Sequence, residues 1–144
     1  MNHPRRMMPW YKTISKDLIG NGPIKLNAFY SNFGIACNTS HLVDLVSWWT
    51  ESFPISVCTE GLNKEWHETK RIGFWDIQGL LKIKFSDESI IELWSSEKIK
   101  KSIIEIKFGN TEKCTVDENL GQARFSNGRV VDGKVLYQSN LTGA

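Results

Sequence analysis

The chain has 144 residues, a formal net charge of +2, 40% hydrophobic residues and 24% charged residues. That size and composition suit one globular domain with its own core and exclude a disordered or collagen-like chain. The charge is also well mixed: the most charged stretch, residues 61–113, carries ten Lys/Arg against nine Asp/Glu, which argues against a dedicated polyanion binder.

Three widely spaced cysteines, Cys37, Cys58 and Cys114, form no CxxC pair, and an odd count argues against a disulfide framework. Residues 1–12 carry two arginines but no apolar segment of the secretory type. No apolar run reaches the length of a membrane span. The expectation is a cytoplasmic protein with no membrane partner.

Taken in order, residues 1–12 read as an N-terminal arm, because Pro4 and Pro9 disfavour a regular helix or central strand. Residues 13–144 read as one α+β domain. Ile14 and Leu18 mark one or two helical turns before the Gly20-Asn21-Gly22-Pro23 turn cluster. Ile24, Leu26 and Ala28 alternate with polar residues as a first strand. The main helix is expected over residues 40–52, with Asn38, Thr39 and Ser40 as candidate N-caps. Leu42, Leu45, Val46 and Trp49 form its apolar stripe, and Pro54 ends it. Ile55, Val57 and Thr59 give another strand, and Gly79 marks a bulge or bend.

The clearest strand signals lie within residues 72–108. Leu81, Ile83 and Phe85 alternate with lysines, residues 86–89 make a polar turn, and residues 90–94 run back. Ile104, Ile106 and Phe108 repeat the alternation. A period of two means one sheet face is buried and the other wet. An antiparallel, meander-rich, curved sheet packed on the one main helix follows. Near the C-terminus, Asp132-Gly133 between β-branched runs predicts a tight hairpin turn.

Chemistry is sparsely signalled. Cys37 and His41 form a Cys-x3-His pair, but no second close pair completes a zinc site. The same two residues give a thiol-enzyme alternative, with Cys37 activated near a helix N-terminus. His67-Glu68 opens like HExxH but no second histidine follows. There is no GxGxxG or GxxxxGK[ST] motif, and the eleven glycines fall at turns. No cofactor and no metal are expected. A second alternative is single-stranded nucleic-acid binding by the wet sheet face, using Lys82, Lys84 and Lys107 with Trp94 or Trp75 for stacking. Glu92 and Glu105 on the same face offer cross-strand charge pairing instead.

By elimination, the sequence predicts a non-catalytic protein-binding domain, a small bacterial inhibitor of the immunity or antitoxin kind that masks a cognate toxin encoded nearby. Such a domain needs complementarity to one protein partner and no transferable motif. The candidate partner-binding residues are Trp10, Tyr11, Trp66, His67, Glu68, Lys70, Arg71 and Trp75: aromatic anchors beside the charged loop 63–71.

Overall fold

The computed structural model describes residues 4–18, 22–31, 35–68, 75–108 and 112–132. Within them the chain is α+β, with two α-helices and an eight-stranded mixed sheet.

The N-terminal stretch is helical where an arm was expected. Pro4–Met7 forms a turn of 3-10 helix, and α1 spans Pro9–Leu18. Both prolines stand at the first position of their element, where the missing N–H would have no intrahelical partner and the fixed φ is already helical. Proline therefore starts these turns and does not forbid them. α1 buries Trp10, Tyr11 and Ile14.

The second helix, α2, spans Ile35–Thr50 and starts earlier than the capping signals suggested. Ile35 is buried and lies seven residues before Leu42, so it extends the stripe of Leu42, Leu45, Val46 and Trp49 by two turns. At the far end Glu51 adopts φ +55°, which reverses the chain ahead of Pro54. The helices pack on each other: the Trp49 indole Nε1 donates to the Tyr11 carbonyl oxygen at 3.2 Å, and their rings lie 5.6 Å apart between centroids. The Arg6 guanidinium adds a two-bond pair with the Asp44 carboxylate.

The strands are β1 (Lys25–Tyr30), β2 (Pro54–Cys58), β3 (His67–Glu68), β4 (Trp75–Asp76), β5 (Gly79–Phe85), β6 (Ile90–Ser95), β7 (Ile103–Phe108), β8 (Glu112–Asp117), β9 (Gln122–Phe125) and β10 (Val130–Asp132). The main sheet has the order β10-β9-β8-β7-β1-β6-β5-β2, and β3 and β4 form a separate pair. β5 and β6 make the expected hairpin. Its turn is held by Asp87, whose carboxylate accepts from the Ser89 N–H and hydroxyl at 2.9 and 3.0 Å.

The meander expectation fails between β6 and β7. These strands are not neighbours: β1 lies between them, parallel to β6 and antiparallel to β7. The charged link 96–102 is long enough to step over one strand, and the alternation of β1 is indistinguishable from that of its neighbours. The sheet is therefore mixed, with β1–β6 its parallel pair. The predicted hairpin turn at Asp132-Gly133 extends beyond the described residues.

One sheet face is covered by α1 and α2. It presents Leu26, Ala28, Leu81, Ile83, Phe85, Ile91, Leu93, Ile104, Ile106, Val116 and Phe125 to the core. On the other face two ion pairs cross between strands: Lys25 meets Glu92 at 2.9 Å and Lys113 meets Glu105 at 2.6 Å. No helix among the described residues is long and apolar enough to cross a membrane.

Candidate functional site

Parallel pairing puts the C-terminal ends of β1 and β6, at Tyr30 and Ser95, on one edge of the fold. From there the two chains must part. The segment after β1 leads to α2, while the segment after β6 crosses to β7. Diverging connections at the carboxyl ends of parallel strands leave a crevice, and open sheets bind ligands at such places. Here the crossing is tied down by the Ser96 N–H, which donates to the Tyr30 carbonyl oxygen at 3.1 Å, and by the Ser31 N–H, which donates to the Ser102 hydroxyl.

A cleft of about 510 Å³ opens at this edge, lined by Asn63, Lys64, Glu65, Trp66, Gln78 and Glu97. Its floor is the start of β5, and its wall is the loop after β2. Backbone bonds fix wall to floor: the Asn63 N–H donates to the Gln78 carbonyl at 2.8 Å, and the Leu80 N–H donates to the Gly61 carbonyl at 2.9 Å. Gly79 lies between them at φ +121°. Trp66 stands on the rim with 53% of its surface exposed. The lining offers two amides, two carboxylates, one ammonium group and one aromatic face, a set suited to orienting a polar ligand against a flat apolar platform.

On the other side of the β1 end lies a partly buried ionic cluster. The Arg5 guanidinium donates twice to the Glu118 carboxylate, at 2.9 and 3.1 Å. The Tyr11 and Tyr30 hydroxyls donate to the same carboxylate at 2.9 and 3.3 Å. Burial opposes the Arg5 charge, but Glu118 and the two tyrosines outweigh it and hold the guanidinium above its ordinary range. Burial, followed by the Glu118 charge, pushes both phenols up. Next to this cluster Lys101 reaches Asp117 at 3.2 Å. Four groups that satisfy one another act as a clasp: they pin the N-terminal helical turn to the sheet edge.

The sequence-based candidates scatter. Trp66 is on the cleft rim. Trp10 and Tyr11 are fully buried in the α1–α2 core, so neither presents an aromatic surface to a partner. His67 and Glu68 form β3, opposite Asp76 and Trp75 of β4; the side chains of His67, Glu68 and Trp75 lie outside the described residues, as do Lys70 and Arg71. His41 is half-buried in α2, and the Cys37 side chain is not among those described. No cluster of metal-ligating side chains occurs among the described residues. On the open face Lys82 stands opposite Glu92, Lys84 opposite Ile90, and Lys107 between Lys25 and Lys113. Asn63 belongs to the loop 63–71 that the sequence pointed to, whereas Gln78 and Glu97 join it only because loop 61–66 closes onto the start of β5. Gly79, expected as a bend, lies at that closure.

No family model and no curated protein matches the sequence. Solved structures do match. UDP-N-acetylglucosamine 3-dehydrogenase GnnA from Acidithiobacillus ferrooxidans superposes with a TM-score of 0.59 at 13% identity, covering 93% of this chain and 46% of that one. The dehydrogenase MviM from Clostridium difficile gives 0.58 at 14% identity, covering 97% and 47%. A putative oxidoreductase from Thermotoga maritima gives 0.50 at 12% identity, covering 91% and 47%. The fold is shared with oxidoreductases. The chain spans about half the length of the structures it matches.

This likeness overturns the expected toxin inhibitor. Lack of a catalytic motif does not by itself imply a non-catalytic protein-binding fold. The architecture found is one that dehydrogenases contain, so the immunity or antitoxin reading and the expectation of a non-enzyme are both withdrawn. At 13–14% identity the likeness is one of fold and not of residue type.

Proposed function

We infer that this chain is the sheet-bearing half of a dehydrogenase-type oxidoreductase, framing a polar, hydroxyl-bearing substrate at the carboxyl ends of β1 and β6. The observation that carries this reading is the match of more than nine-tenths of the chain to just under half of several oxidoreductases. A dinucleotide-binding half needs successive parallel strands and a glycine-rich first turn. Here the parallel pairing is confined to β1–β6 among the described strands, and the sequence has no GxGxxG. The residues present therefore do not fit a resident dinucleotide, and hydride chemistry belongs to a separate nucleotide-binding unit. The task left to this chain is to bind and orient the substrate. The Trp66 ring supports its apolar face, while Asn63, Gln78 and Glu97 exchange hydrogen bonds with hydroxyls.

The test is ligand-detected NMR on the isolated chain with NADH and with a panel of sugars and nucleotide sugars. Saturation transfer to at least one polyhydroxylated compound is expected, and it should weaken several-fold in Trp66→Ala. Tight binding of NADH by this chain alone, or sugar signals indifferent to Trp66→Ala, would sink the reading.

A further inference from the structure

Among the described strands, β2 ends the sheet on one side. Its inner edge pairs with β5, and no described residue pairs with its outer edge. All five residues of β2 are exposed, and residues 53–59 contain no charged side chain. Phe53, Ile55 and Val57 are 64%, 56% and 58% exposed. Val57 stands beside Ile83, a core residue, so it faces the helix-bearing side of the sheet at a point where no helix covers it.

Free sheet edges are normally protected by lysines, prolines, bulges or short length. β2 is protected only at its entry, where Pro54 and a register shift before Ser56 disturb the ladder. Residues 56–58 remain regular, neutral and open.

We propose that β2 pairs antiparallel with β2 of a second copy of this chain, about a two-fold axis at Ser56, so that two sheets join edge to edge. Charge selects this occupant. An isologous strand pair sets a short segment against itself, and any ionised residue near the axis would face its own kind. Residues 53–59 contain none. A foreign partner would more readily be held by charges that fix its register, and β2 offers none. The symmetric register places Ile55 against Val57 of the second copy and Ser56 against Ser56. It makes one apolar patch of four branched side chains where each chain alone exposes two. Pro54, which lacks an N–H, falls opposite Cys58 at the end of the paired stretch, where a missing donor disrupts least. The pairing does not depend on the substrate reading.

Sedimentation velocity across the micromolar range should show a reversible monomer–dimer equilibrium for the full chain. Val57→Lys should abolish it while leaving the circular dichroism unchanged, since Val57 is exposed. The variant Ser56→Cys/Cys58→Ser puts two thiols directly across the axis, with Cα atoms about 5 Å apart, within disulfide reach. Mild oxidation should convert it to a covalent dimer that dithiothreitol reverses. A chain that stays monomeric throughout, a dimer indifferent to Val57→Lys, or a Ser56→Cys variant that dimerises without cross-linking would each overturn the proposal.

Discussion

At Gly79 the backbone passes the cleft wall so closely that an added Cβ would lie 2.5 Å from the Gly61 carbonyl oxygen and 2.8 Å from Leu62 Cα. Both are main-chain atoms and cannot swing aside, and the φ of +121° is strained for any L side chain. Gly79→Ala should cost roughly 1–3 kcal/mol in urea denaturation. Because the strain falls on the wall, ligand signals at Trp66 should weaken as well. Glu118 is a second such position. Glu118→Ala strands the partly buried Arg5 charge and removes the carboxylate that accepts from the Tyr11 and Tyr30 hydroxyls. A loss of about 3 kcal/mol is expected, while the double change Arg5→Met/Glu118→Met should be milder. The cluster also sets an alkaline limit. The pKa values of Tyr11 and Tyr30 are raised in the folded state, so their contribution is whole below the ordinary phenol value of about 10 and is lost as pH climbs through the folded values. Absorbance at 295 nm should show these two ionising together with loss of the dichroism signal and not before it.

At the level of elements, the sequence revealed faces better than limits. The stripe Leu42, Leu45, Val46 and Trp49 identified the buried side of α2, and Leu45→Ala should cost about 2–5 kcal/mol because the side chain is wholly enclosed. The start of the helix was misplaced for a physical reason. Thr39 has the side chain of a good N-cap, but inside a helix its hydroxyl can bond back to the preceding turn, and it does so to the Ile35 carbonyl at 2.6 Å. Residue type alone does not separate the two uses. The start of α1 was hidden by Pro9, since proline ends helices in the middle but begins them at the first position. In β5, β6 and β7 the alternation read the core side correctly, since Leu81, Ile83, Ile91, Leu93, Ile104 and Ile106 all face inward.

At the level of the whole molecule, what was not legible was adjacency. Periodicity says which way a side chain points and nothing about which strand lies beside it. The β1 insertion is a long-range fact, and so is the cleft, whose lining comes from the loop after β2, the start of β5 and the link after β6. The likeness to solved oxidoreductase structures is likewise one of fold, at 13–14% identity, and no residue type in the sequence signals it.

The insertion of β1 also has a kinetic consequence. Lys25 pairs with Ile90 on one side and Lys107 on the other, so a strand made early in synthesis waits for two partners made late. Until they emerge, both edges of an apolar segment are open, a period in which chains are prone to aggregate. The hairpin β5–β6 and the run β7–β10 each form locally, but they meet only through β1, and closing those long loops should make refolding slow. Leu26 packs at this junction, opposite Ile91 and Ile106. If docking of β1 limits the rate, Leu26→Ala should slow refolding in stopped-flow fluorescence as strongly as it lowers stability. A change confined to the unfolding rate would mean that β1 docks last, after the barrier is crossed.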